Sequence, residues 1–321
     1  MSFINADEAR LKSELLSAYY SFPRARVLHA ATSWALTDYY SKSAIGQPFE
    51  ARGIMVTGPS RIGKSTEIRR TLSQLNDGTT LMPDGRPAKI ASVILSGSLS
   101  WKDLGIHTLR HGLKYPATGR LTQHQVWDRV VLQAKLQGVV GIHYDECQHI
   151  FPRSPDGHAK ILDCFKSLLK HPEWPLMLIL SGVDSLAHHI IREEQLAYLL
   201  KPVTFDEIAP GNTADQQELH SLCHAYAAKV DVDLAQTPSR EFYQRLSVAC
   251  AYRWGLAVEL IIEAIVLAYQ QADRRLTPAI FCHAFTARLG LSPRYSPFSV
   301  DDYEILFEKS KVFELWTRQT L

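Results

Sequence analysis

From Gly53 onward the chain alternates short, nearly unbroken apolar runs with longer segments whose apolar residues recur at helical spacing. The runs are Gly53–Thr57, Ile90–Leu95, Val139–Tyr144 and Leu176–Ser181. They are rich in β-branched residues and lack the polar alternation of a strand with one wet face. Such runs predict strands covered on both faces, as in a parallel sheet. Thr66–Leu75, Lys102–Leu113, Gln123–Gln137, Ala159–Lys170 and Asp184–Leu200 read as helices, and Val203–Ile208 as a further short strand. Asn76–Ala88, with Asp77-Gly78 and Pro83-Asp84-Gly85, is a turn-rich connection. This alternation predicts an α/β domain, a parallel sheet wound by helices.

The pattern changes on either side of that core. Ala6–Tyr20 and Arg24–Tyr40 carry helical spacing, so residues 1–50 read as an N-terminal helical segment and 51–210 as the α/β domain. Past Pro210-Gly211-Asn212 the chain is nearly strandless. Ala214–Val230, Ser239–Ala251, Leu256–Ala272 and Thr277–Arg288 predict a small C-terminal helical lid domain over 211–289. Thr277-Pro278 offers an N-cap followed by proline at the first helical position. Residues 290–321, with Pro293, Tyr295, Pro297 and Phe298, form a tail: either a helix packed back on the body or an arm that docks on a neighbour.

One segment commits the chain to a chemistry. Gly58-Pro59-Ser60-Arg61-Ile62-Gly63-Lys64-Ser65 matches the phosphate-binding loop pattern G-x-x-x-x-G-K-[ST]. Its glycines let backbone N–H groups face an anion, Lys64 can reach the β- and γ-phosphates, and the Ser65 hydroxyl can hold Mg²⁺. The strand before it and the helix opening at Thr66, whose positive end would lie under the phosphates, supply the expected context. Residues 58–66 are therefore the candidate contacts for ATP. The second half of such a site follows in Gly138-Val-Val-Gly-Ile-His-Tyr-Asp145-Glu146. Asp145 at a strand end can hold the Mg²⁺ shell, and Glu146 can activate water as general base.

Other candidates rest on position. Ser181 ends the next strand, where a parallel sheet lines its ligand crevice, and either orients water near the γ-phosphate or is a plain strand-end serine. Arg192 either reaches a nucleotide held by a neighbouring subunit or is a surface arginine beside Glu193 and Glu194. Arg253 opens the longest apolar helix of the lid, and either bridges to the phosphates or forms a structural salt bridge. His143, Cys147 and His149 flank the Asp-Glu pair without an evident fourth ligand, which argues against zinc; Gln148 and His149 read better as sensors of nucleotide state. A Gly-x-Ser-x-Gly hydrolase elbow is absent.

Composition sets limits. The net charge is +2, so any nucleic-acid binding needs a local basic surface. The five cysteines are scattered without a C-x-x-C pair, and the N-terminus has charges and no apolar core, which together predict a reduced, cytoplasmic protein. No apolar run approaches the roughly 18 residues of a membrane span.

The order of motifs resembles a known family. The phosphate loop is followed by Asp145-Glu146-Cys147-Gln148-His149, then Leu-Ser-Gly182 and a helix, then Gln195-Leu-Ala with Pro202-Val, and an Arg253-x-Gly-Leu helix. This is similar to the AAA+ ATPases of the TniB/TnsC group, regulators of DNA transposition, over roughly residues 25–285. The resemblance implies a P-loop AAA+ fold that binds ATP and Mg²⁺. It also implies homo-oligomeric rings or filaments on double-stranded DNA without sequence preference, a partner transposase and a target-selection factor. ATP hydrolysis would disassemble the oligomer. In that family the region between the second strand and Asp145 faces the pore, which makes Lys102, Lys114 and Arg120 candidate phosphate contacts; the alternative is scattered solvated charge. Two departures stand out. Leu199 and Leu200 replace the arginine usual there, which implies slow hydrolysis or a substitute in Arg192 or Lys201, and Val183 stands where threonine is common. Rival readings are a nucleotide-gated scaffold with little turnover, a helicase loader and a secretion ATPase.

Overall fold

The computed structural model describes residues 3–95, 97, 99–117, 119–152, 155–234 and 239–317, with the backbone alone at 155 and 156. Residue 118, within the Tyr115–Gly119 loop, and the tail beyond 317 lie outside the described residues. The chain divides into two compact units, 23–205, and 1–22 with 206–321.

Unit 23–205 is built on a five-stranded parallel sheet in the order β2-β3-β4-β1-β5. The strands are β1 (Gly53–Thr57), β2 (Lys89–Ile94), β3 (Val139–Asp145), β4 (Met177–Gly182) and β5 (Leu200–Thr204). β1, β3 and β4 are buried along their whole length, which is why they read as unbroken apolar runs. Gly53 permits a close approach of β1 to β4: a Cβ there would lie 2.5 Å from the Leu178 carbonyl oxygen. α2 (Pro23–Ile45), α3 (Lys64–Leu75), α4 (Trp101–His107), α5 (Gln123–Gln137), α6 (Pro155–Leu169), α7 (Ser185–Ile190) and α8 (Glu194–Leu199) complete the unit, with α1 (Ala6–Ser17) belonging to the other. α5 has a full capping box at Thr122 and Gln125 and stops at left-handed Gly138, and its bounds are those its sequence predicts.

Three expectations change here. The helix read over Lys102–Leu113 ends at His107 and continues as a wider π-type turn, Thr108–Gly112. The Thr108 hydroxyl donates back to the Leu104 carbonyl and meets the Tyr144 hydroxyl at 2.9 Å, which draws the backbone inward. The helix read over Asp184–Leu200 is two short helices separated by a turn at Ile191–Glu193. The last strand lies over 200–204 rather than 203–208; Pro202 fits inside it because β5 is the sheet edge.

The other unit is helical: α1, α9 (Thr213–Ala227), α10 (Arg240–Ala249), α11 (Trp254–Tyr269), α12 (Pro278–Leu289), α13 (Tyr303–Leu306) and α14 (Lys309–Thr317). The segment read as nearly strandless holds a minimal parallel pair, β6 (Asp233–Leu234) with β7 (Arg275–Leu276). α11 forms its core, with Leu260, Ile261, Ala264 and Ile265 fully buried. Thr277 caps α12 with Pro278 at its first turn and Gly290 closing it in the left-handed region. The N-terminal residues expected as one helical segment are shared between the units, because α1 buries Leu11 and Leu15 in the helical unit.

As far as residue 317 the tail packs on its own unit. Val312 and Trp316 are buried, Trp316 Nε1 donates to the Ala249 carbonyl at 2.9 Å, and Arg288 lies over the indole. Trp316→Ala is expected to destabilise the protein by about 3–5 kcal/mol, the usual cost of deleting a buried large aromatic. Thermal unfolding followed by near-UV circular dichroism measures this; an unchanged midpoint would show that the tail is not part of the packed unit.

Candidate nucleotide site

The loop after β1 is shaped by its glycines. Gly58 has φ +149° and Gly63 φ +104°, and a Cβ at Gly58 would lie 2.5 Å from the Phe205 carbonyl oxygen. Both positions exclude a side chain, one by contact and the other by conformation. Arg61 is also left-handed, at φ 63°. Gly63 precedes α3 and supplies no side-chain cap, and the positive end of a helix favours an anion. Lys64 is buried, its ammonium donating to the carbonyls of Gly58 at 2.6 Å and Pro59 at 2.9 Å. Ile62 is buried beneath the loop; Ser60, Arg61 and Thr66 are exposed and Pro59 is half-buried on its rim. One cation joins them that sequence reading missed. An Arg24 terminal nitrogen lies 3.3 Å from where a Gly63 Cβ would stand, and its guanidinium sits 5.5 Å from the Phe205 ring centroid. Nothing local in the sequence marks it, since it comes from the start of α2.

The sheet brings Asp145 to this loop. One carboxylate oxygen accepts from the Ser65 hydroxyl at 2.8 Å, and the other from Ser181 at 2.6 Å and the Glu146 N–H at 3.1 Å. Burial works against its charged form, but the hydrogen bonds from Ser181 and Ser65 outweigh it and hold the carboxyl below the usual range. Because Ser65 donates its proton to Asp145, its oxygen lone pairs are left for a cation. A carboxylate and a hydroxyl oxygen side by side, above a loop shaped for anions, form a donor set that fits Mg²⁺ with a phosphate.

Ser181 is wholly buried, its hydroxyl bonded to Asp145 and to His143 Nε2 at 2.8 Å. His143, weighed in the sequence only as a zinc ligand, is the residue beneath it. Burial depresses its pKa to about 4.

Glu146 turns out of the strand in the left-handed conformation, φ 57°. Its side chain is partly exposed. Gln148 holds it, donating from Nε2 to a Glu146 carboxylate oxygen at 2.6 Å and accepting the Val183 N–H at 3.3 Å. This bridge needs glycine at 182, where a Cβ would come within 2.3 Å of Gln148 Oε1. His149 Nε2 stands 3.9 Å from the same carboxylate.

The remaining candidates stand on other elements. Arg192 is exposed in the turn between α7 and α8, with a terminal nitrogen 3.2 Å from His158 Nδ1. The neighbouring His189 stacks on Phe151, ring centroids 4.6 Å apart. Leu199 and Leu200 are buried, while Lys201 lies over the Trp34 ring at 5.0 Å. In the helical unit, Arg253 ion-pairs with Glu207, which also takes Lys309. Two successive left-handed residues, Ala251 and Tyr252, aim that arginine. Lys114 and Arg120 are exposed on irregular chain, and Lys102 is half-buried on the first turn of α4.

Comparison with known proteins agrees with this geometry. Residues 47–190 match the family model described as AAA domain. No curated protein sequence matches the chain. Cdc6p from Pyrobaculum aerophilum is similar in structure at 12% identity and a TM-score of 0.56, over 96% of this chain and 88% of that one. The ORC2 protein of Aeropyrum pernix, in ADPNP–ADP complexes, is similar at 13% identity and a TM-score of 0.53, over 85% and 71%. A RuvB mutant of Thermotoga maritima is similar at 12% identity and a TM-score of 0.50, over 92% and 77%. The parallel sheet, the phosphate loop and these likenesses establish that the chain carries an AAA domain on a P-loop AAA+ fold with a helical C-terminal region.

Proposed function

We propose that this protein is an ATP-dependent regulator of DNA transposition. It oligomerises on double-stranded target DNA, engages a transposase and a target-selection factor, and disassembles when ATP is hydrolysed. The observation that carries the ATPase part is the hydrogen bond between Ser65 of the phosphate loop and Asp145 at the end of β3, with Glu146 next to it. In this reading Gly58 to Thr66 bind the triphosphate, Lys64 neutralises it, and Glu146 takes a proton from the attacking water. Mg²⁺ would be held by Ser65 and Asp145, where it would neutralise charge on the phosphates. The DNA-bound, oligomeric part rests on the family resemblance around Asp145-Glu146-x-Gln148-His149, with Lys102, Lys114 and Arg120 as non-specific phosphate contacts and Arg192 as the arginine offered to a neighbouring subunit. Among the described residues no helix is long and apolar enough to cross a membrane.

Burial of Leu199 and Leu200 favours a second reading, a nucleotide-gated scaffold with little turnover, because an arginine cannot be restored there without opening the core. Electron microscopy of the protein with linear double-stranded DNA and a non-hydrolysable ATP analogue tests the main reading. Nucleotide-dependent rings or filaments on the DNA are expected. ATP binding without any DNA-bound assembly would overturn the transposition role, and assembly without Mg²⁺-dependent turnover would establish the scaffold.

A further inference from the structure

The carboxylate addressed by the phosphate loop is one end of a longer chain of side chains crossing three strands. Asp145 accepts from Ser181 on β4, Ser181 meets His143 Nε2 on β3, and His143 Nδ1 meets the Ser92 hydroxyl on β2 at 2.9 Å. Ser92 and His143 are register partners across the parallel ladder, so both side chains stand on one face of the sheet. The direction of each bond follows from its end. Ionised Asp145 can only accept, so Ser181 donates to it. The other acceptor near Ser181, the Tyr144 carbonyl, is distant at 3.4 Å. With its one proton committed, the Ser181 oxygen accepts from His143 Nε2–H. With Nε2 as a donor, the tautomer that leaves Nδ1 to accept from the Ser92 hydroxyl satisfies every donor and acceptor along this chain, and the chain then runs one way, from an exposed serine on the sheet edge to the carboxylate.

We propose that Ser181, His143 and Ser92 form a positioning relay that fixes the orientation of Asp145 and thereby sets the divalent-cation affinity of the site. The relay rests on the nucleotide reading above. Groups that orient a metal-binding carboxylate from behind contribute roughly 10- to 100-fold to metal affinity. Asp145 has two rotatable bonds; Ser65 holds one oxygen from the loop side, and Ser181 at 2.6 Å holds the other together with the longer Glu146 N–H bond at 3.1 Å. Removing Ser181 therefore leaves that oxygen with the longer bond and loosens the carboxylate. It also leaves the His143 Nε2–H facing an empty space in the core.

Three measurements on the full chain test this. Nitrogen-15 NMR of histidine-labelled protein reads the tautomer directly; His143 is expected to show a protonated Nε2 and an unprotonated Nδ1. Mn²⁺ binding to the ADP-loaded protein, followed by electron paramagnetic resonance, is expected to weaken roughly 10- to 100-fold in Ser181→Ala and to recover in Ser181→Thr, which restores the hydroxyl. Binding of a fluorescent ATP analogue in EDTA is expected to be unchanged. Ser92→Ala, an exposed edge-strand change that spares the core, is expected to weaken Mn²⁺ binding in the same direction by a smaller factor. A wild-type His143 protonated at Nδ1, or unaltered Mn²⁺ affinity in a nucleotide-binding Ser181→Ala, overturns the relay alone. A wild-type protein that binds no ATP analogue overturns the nucleotide reading, and the relay's metal role with it.

Discussion

Glu146→Gln is expected to bind ATP as the wild type does and to turn it over about 100- to 10,000-fold more slowly, the range lost when a positioned general base is removed. Glutamine matches the carboxylate in size, and its amide oxygen can still accept from Gln148 Nε2, so the local backbone and the hold on Val183 are preserved. What disappears is the capacity to take a proton. Phosphate release under multiple turnover with Mg²⁺ measures the loss, and a wild-type rate would remove Glu146 from the mechanism. The same variant separates binding from assembly: halted before hydrolysis, it should accumulate on double-stranded DNA as trapped oligomers. If it binds ATP and never associates with DNA, the transposition reading fails while the ATPase reading stands.

Lys64→Ala should weaken nucleotide binding at least roughly 10- to 150-fold rather than slow turnover alone. The buried ammonium holds the Gly58 and Pro59 carbonyls, so it shapes the loop as well as offering charge to the phosphates. A charge-assisted hydrogen bond contributes about 1.5–3 kcal/mol, which corresponds to roughly a 10- to 150-fold weaker dissociation constant for the loss of one phosphate contact. Loss of the loop's internal bonds adds to this. Lys64→Arg is not expected to rescue, since a rigid planar fork does not fit a pocket shaped around a compact ammonium. Isothermal titration with ATP decides the matter, and undiminished affinity in Lys64→Ala would mean that the loop does not bind phosphate.

Much of the sheet could be read from the sequence because its strands are buried on both faces, and burial on both faces leaves a continuous apolar signature. The less buried edge was harder. β5 alternates buried Leu200 and Val203 with exposed residues around a proline, and so falls three residues from where its apolar character points. The break between α7 and α8 carries no proline or glycine, and the turn after α4 depends on the Thr108–Tyr144 contact across 36 residues. Neither has a local signal. The placement of α1 in the helical unit is of the same kind: a helix's own pattern shows that it has an apolar face, not which surface that face covers. At the site, the phosphate-loop pattern and the Asp-Glu strand end could be picked out because phosphate chemistry asks for fixed residue types at fixed spacing, and the structure brings Ser65 and Asp145 together. The contacts of Arg24, His143 and Gln148 arise through space, once β3 and β4 lie side by side and α2 begins beside the loop.

The bridge from Glu146 through Gln148 to the chain after β4 has a consequence for how this sequence can drift. Gln148 Oε1 fills the volume that any side chain at position 182 would enter. The two positions are therefore not free to vary separately. An alanine at 182 would evict the amide and loosen Glu146, whereas a shorter residue at 148 would open room for alanine at 182 and make the glycine dispensable. Descendants of this chain should therefore keep Gln148 with Gly182 or exchange both together.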